Sequence, residues 1–116
     1  MATILITHNF GAVAGTTDRI IVMYAGEIVE MASTMELFHN PLHPYTIGLL
    51  HSIPKVYEEE QSRLFSIKGR LPNPVNLPKG CSYAPRCEYA FDTCVKLSPV
   101  LEERETDHYV SCWKVL

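Results

Sequence analysis

Three consecutive aliphatic residues, Ile4-Leu5-Ile6, flanked by Thr3 and Thr7, constrain the fold more than any other stretch of the chain. The run lacks the alternation of a half-exposed strand, so it is expected to form a strand buried on both faces, as inside a parallel sheet. Such a strand needs a neighbour on each side, and a chain of 116 residues offers few. Residues 10–17 follow with Phe10, Val13, Ala14 and Thr17 at helical spacing and Asn9 placed to cap them. Ile20 to Ala25 is a second continuous apolar run, bounded by Arg19. Ala25-Gly26 then turns the chain into Glu27-Ile28-Val29-Glu30-Met31, the pattern of a hairpin.

Ser33 and Glu36 have capping-box spacing and predict a short helix ending near His39, before Asn40-Pro41 breaks it. Pro44 suits the first position of a further helix, where its missing N–H costs nothing. Tyr45, Leu49, Leu50 and Ile53 are expected to line one face of that helix, and Pro54 to end it. Beyond it the signals are short: a strand at Phe65-Ser66-Ile67, loops marked by Pro72, Pro74 and Pro78, a helical turn within 86–94, and a last strand over Tyr109–Trp113.

Composition divides the chain at the same place. Residues 1–54 hold one basic residue, Arg19, four acids and no cysteine, whereas residues 55–116 hold nine basic and nine acidic residues and every cysteine. The expected organisation is therefore a packed unit over 1–54 and a loop-rich, cysteine-containing unit over 55–116. The net charge of −3 gives no reason to expect nucleic acid as a partner. No apolar run approaches the roughly 20 residues of a membrane span. The N-terminus has no basic segment of the kind that opens a signal peptide, so a cytoplasmic location is the default expectation.

His8 stands directly after the first expected strand, where open α/β sheets place ligand-contacting groups. From spacing alone it could donate to a phosphate oxygen or merely cap the strand. Ile4-Leu5-Ile6-Thr7-His8-Asn9-Phe10-Gly11, followed by Asp18-Arg19 and the hairpin, resembles the last part of an ABC-transporter ATPase domain. That resemblance implies an α/β fold and makes His8 the switch histidine that contacts the γ-phosphate of ATP, with Asn9 where the family more often has Asp. No G-x-x-x-x-G-K-[ST] loop occurs in the sequence, so nothing cradles phosphates. The signature motif and the catalytic glutamate are missing too, and His8 alone cannot support phosphoryl transfer. This chain by itself is expected not to be an enzyme; ATP and magnesium belong to a complete subunit.

Asn40-Pro41-Leu42-His43-Pro44-Tyr45 narrows the resemblance. It is similar to the His-Pro-Tyr element that follows the ATPase core in subunits of oligopeptide and dipeptide importers, a group that includes a nickel-importing branch. Read physically, His43 is a helix cap or a satisfied surface residue, and no chemistry is assigned to it.

Cys81, Cys87, Cys94 and Cys112 give the spacing C-x5-C-x6-C-x17-C. In a reducing compartment clustered cysteines point to metal or redox chemistry rather than disulfides. The tight pairs of a zinc finger are absent, and looser spacing suits a larger cluster. The segments Leu77 to Cys94 and His108 to Trp113 resemble the C-terminal region of the same importer subunits, some of which hold a [4Fe–4S] cluster through four cysteines. The resemblance thus implies a [4Fe–4S] cluster on Cys81, Cys87, Cys94 and Cys112, with zinc as the alternative occupant, in a structural role.

The expectation for the whole is an α/β fragment, the end of an ABC ATPase core, followed by a small cysteine-containing domain. As the resemblance has it, the complete subunit would work with a second ATPase subunit and with permease subunits, peripheral to the inner face of the cell membrane. A free-standing cysteine-rich module that binds metal or a partner protein is the alternative. Apolar strands deprived of neighbours would also favour self-association of the chain.

Overall fold

The computed structural model describes residues 2–53 and 79–115. The expected strand at Phe65-Ser66-Ile67 and the composition boundary at 54–60 lie outside them. The chain runs α1 (Phe10–Val13), β1 (Arg19–Tyr24), β2 (Glu27–Ser33), α2 (Thr34–His39), α3 (Pro44–His51), a 3-10 turn at Ala84–Arg86, α4 (Asp92–Lys96), β3 (Glu102–Glu105), β4 (His108–Val110) and a final 3-10 turn at Trp113–Val115. Among the described residues the four strands form one antiparallel sheet in the order β1-β2-β4-β3. β4 pairs with β2, so the sheet joins residues from both sides of the composition boundary.

The strand expected over Thr3–Thr7 does not form. Residues 2–7 are irregular, and Ile4 and Ile6 are 89% and 92% exposed. The reason is the one the sequence itself raises: among the described residues no strand lies alongside to take up its backbone groups. The following helix is likewise shorter than its apolar spacing suggests, Phe10–Val13, and the Asn9 side chain does not cap it.

The hairpin forms where expected. Ala25 and Gly26 adopt φ of 52° and 80°, the left-handed pair that a two-residue turn needs to match strand twist. β1 is covered on one face only, with Ile20, Val22 and Tyr24 buried while Ile21 and Met23 are about half exposed. The continuous apolar run is thus a strand buried on one face, with Ile21 and Met23 on the other.

Against the inner face pack Val13, Val29, Ala32, Leu37 and Tyr83, with Phe38, Tyr45 and Leu49 at the margin. α2 opens with the predicted cap, the Ser33 hydroxyl accepting from the Glu36 amide at 3.2 Å. α3 begins at Pro44 as expected, but its buried positions are Pro44, Thr46 and Gly48. Tyr45 and Leu49 are only half-buried, because α3 leans its first turn, rather than an apolar stripe, into the core.

Candidate functional site

The four cysteines come from separate places: Cys81 and Cys87 flank the turn at Ala84–Arg86, Cys94 lies in α4, and Cys112 follows β4. They nevertheless line a single pocket, together with Tyr83, Tyr89 and Trp113. No disulfide joins them. Gly80 makes the arrangement possible. A Cβ at this position would lie 2.2 Å from the Cys94 carbonyl oxygen and 2.6 Å from the Val95 carbonyl carbon. The close approach is held by the Cys81 amide donating to that Cys94 carbonyl at 2.7 Å.

Burial pushes the Cys81 and Cys87 thiols up, only partly offset by the Tyr83 and Ala84 amides facing Cys81 and the Tyr89 amide facing Cys87. Such thiols are poor nucleophiles, but a bound cation displaces their protons. The donor set is that of a thiophilic metal. The pocket among the sulfurs measures about 10 Å³, room for a single water. Zinc held by four thiolates would bring the sulfurs to about 3.8 Å from one another. Among the described residues, the trio whose donor atoms all lie within 4.8 Å of one another is Glu36, Glu105 and His108, not a set of cysteines.

The His-Pro-Tyr element abuts this pocket, with His43 and Pro44 forming part of its wall. His43 caps α3, its Nδ1 accepting from the Tyr45 amide at 3.0 Å, so Nε2 carries the ring proton. It is a cap, as its spacing suggests, but a buried one, and burial lowers its pKa to about 4. Tyr83 contacts the rings of His43, Tyr45 and Tyr24, with centroids 5.6, 5.4 and 5.2 Å away. This aromatic cluster ties the first cysteine loop to β1 and α3. Burial, with Cys87 second, pushes the Tyr83 hydroxyl up to about 12.

Sequence reasoning missed the polar centre of the core. Glu30 is fully buried and accepts from the amides of Leu42 at 2.8 Å and His43 at 2.9 Å and from His108 Nε2 at 2.5 Å. A bulge explains why it points inward. Val22 pairs with Glu30 but Met23 with Ile28, leaving Val29 as an extra residue, so Val29 and Glu30 are both buried. Strict alternation cannot reveal that. Glu30 thereby fixes the chain immediately before α3, at the wall of the cysteine pocket.

His8 lies elsewhere. It is exposed and lines a groove of about 270 Å³ with Leu5, Thr7, Phe10, Arg19 and Tyr45, sharing no lining residue with the cysteine pocket. The structure therefore brings the four cysteines together and leaves His8 apart from them.

Residues 29–94 match the family described as oligopeptide/dipeptide transporter, C-terminal region. The chain belongs to that family. The match opens in β2 at the bulge and closes at Cys94, so this transporter region contains Glu30, the His-Pro-Tyr element and three of the four cysteines. Among curated relatives, the chain is 49% identical over 110 residues to the oligopeptide transport ATP-binding protein AppD of Bacillus subtilis (strain 168), covering 95% of this chain and 33% of the relative. It is 41% identical to the oligopeptide transport ATP-binding proteins OppD of Haemophilus influenzae and of Salmonella typhimurium, over 97% of this chain and 34% and 33% of theirs. The chain thus spans about a third of the length of these transporter proteins. Among the described residues, no helix is long and apolar enough to cross a membrane.

Proposed function

We propose that the chain supplies the C-terminal third of the ATP-binding subunit of a peptide importer, and that its four cysteines hold a [4Fe–4S] cluster. The convergence of Cys81, Cys87, Cys94 and Cys112 on one pocket carries the second half of this reading. Four thiolates from successive loops are the ligand set such a cluster takes, and the loops would have to spread to admit it, since the pocket holds about 10 Å³. When bound, the cluster would act as a structural cross-link in a segment poor in apolar core. Gly80 permits the loop approach, the amides of Tyr83, Ala84 and Tyr89 stabilise thiolates, and the aromatic cluster holds the first loop against the sheet.

The first half rests on the relatives and on the exposed Ile4-Leu5-Ile6 segment. That segment has the composition of a central strand and lacks neighbours among the described residues; other parts of the subunit would supply them. His8 would then stand at the end of a core strand as the switch histidine facing the γ-phosphate. On this reading the subunit pairs with a second ATP-binding subunit and docks on permease subunits at the cytoplasmic face of the membrane. The chain alone, without a phosphate-binding loop, does not hydrolyse ATP.

Equilibrium dialysis of the chain against ATP and magnesium tests the ATP half; no retention is expected, and measurable affinity would overturn it. For the cluster, protein purified without oxygen should be brown. Colourless protein carrying stoichiometric zinc that Cys81→Ser with Cys94→Ser loses would overturn it in favour of a four-thiolate zinc site.

A further inference from the structure

A second group of metal-ligating atoms lies outside the cysteine pocket, at the junction of α2 with the β3–β4 hairpin. Glu36 of α2, Glu105 at the end of β3 and His108 at the start of β4 place one donor atom each within 4.8 Å of one another. Two features of the fold create the meeting. The hairpin turns through Thr106-Asp107, and a register shift between Glu103 and Glu105 makes Glu105 the direct cross-strand partner of His108, so the two side chains share a face. Glu36, the residue of the α2 capping box, approaches from the other side, its Oε1 3.5 Å from His108 Nδ1.

The His108 ring makes this more than a cluster of acids. The ring is fully buried, and its Nε2 lies 2.5 Å from the Glu30 carboxylate. Glu30 also accepts from two backbone amides, so it is acceptor only and Nε2 must carry the proton. Nδ1 is then left with no hydrogen-bond partner among the described residues. A buried nitrogen lone pair facing two carboxylates is unfavourable unless something positive lies between them. Arg104 pairs with Glu102 and Arg19 with Asp107, each at 2.7 Å. The Asn40 amide donates to both carboxylates, so the unmet group is Nδ1, which a proton shared with Glu36 or a metal ion would satisfy. A carboxylate behind a histidine, fixing its tautomer and raising its basicity, is the arrangement that supports metal-ligating imidazoles.

We infer that Glu36, Glu105 and His108 form a binding site for one divalent first-row transition-metal ion, with Glu30 positioning the histidine. One imidazole nitrogen and two carboxylates suit manganese or zinc, and thiolates have little preference for manganese, which separates this site from the cysteines. Asn40 sits at the rim, its amide nitrogen 3.1 Å from Glu36 Oε1 and 2.9 Å from Glu105 Oε2. With the amide turned over, its oxygen would face the ion as a fourth donor. Glu105 is exposed and Glu36 partly so, which leaves a path from solvent. Because the ligands come from both sides of the composition boundary, the ion clamps the β3–β4 hairpin onto α2.

Manganese titration of the whole chain, followed by electron paramagnetic resonance, tests this directly. One ion should bind and be displaced by zinc, and the His108 ring signals should broaden selectively. Glu105→Gln, at an exposed position, should leave the fold intact and weaken manganese binding by at least ~10-fold; Glu36→Gln should do the same. Manganese binding untouched by both variants would overturn the site. So would nitrogen shifts showing Nδ1 permanently protonated with no displacement by manganese or zinc, in which case a proton is the occupant. Iron and sulfide content reports on the cysteines alone, so the two metal assignments fail independently.

Discussion

Glu30 and His108 lie 78 positions apart, yet their side chains share a hydrogen bond of 2.5 Å with no exposed surface on either. Glu30 also binds the two amides that lead into α3. One carboxylate therefore connects the hairpin, the His-Pro-Tyr helix and the final strand. Glu30→Gln leaves His108 and at least one amide poorly matched. Stability from urea denaturation should fall by about 1–3 kcal/mol, the cost of leaving buried hydrogen-bonding groups unmatched. The exposed Glu27→Gln control should stay within about 0.5 kcal/mol of the parent. A loss of under about 1 kcal/mol for Glu30→Gln would show that the network is not structural.

His43 gives the pH dependence a definite sign. Burial holds its pKa near 4 in the folded chain against 6.5 in the open chain. Between these values the unfolded state binds the extra proton, so stability is complete above pH 6.5 and declines as pH falls toward 4. The contribution at stake is on the order of 3 kcal/mol. His43→Asn retains a capping acceptor and should flatten this part of the profile relative to the parent. Profiles that run parallel across the window would contradict a buried neutral His43.

Gly80→Ala drives a methyl group into the backbone of Cys94 and Val95, which cannot rotate away. Thermal denaturation should show a loss of about 1–3 kcal/mol, and metal retained on the cysteines should drop with it. Gly15→Ala, where an added Cβ meets nothing within 4 Å, serves as the control. Equal behaviour of the two variants would remove Gly80 from the site.

Ile4, Leu5 and Ile6 are exposed, as are Ile21 and Met23 on the outer face of β1. Apolar surface of this kind drives association. Light scattering is expected to find dimers or larger species, shifted toward monomer by Ile4→Lys with Ile6→Lys. A clean monomer at high concentration would contradict this.

Much of the local structure was legible because it depends on chemistry within a few residues. The Ala25-Gly26 turn, the Ser33 cap and Pro44 at the start of α3 are examples. The strand expected at Ile4-Leu5-Ile6 is not formed, because its fate depends on neighbours that its own residues cannot supply. Burial of Glu30 was hidden by a bulge, and the site around His108 by register shifts, neither of which leaves a periodic trace. The cysteines were legible as residues, but their convergence required Gly80, Tyr83 and the β2–β4 pairing.

Iron, zinc and acid-labile sulfide, measured per chain after purification without oxygen, test the central assignment most directly. A cluster on Cys81, Cys87, Cys94 and Cys112 requires about four iron and four sulfide per chain. Folded, stable protein containing neither iron nor zinc would contradict a metal site on these cysteines altogether.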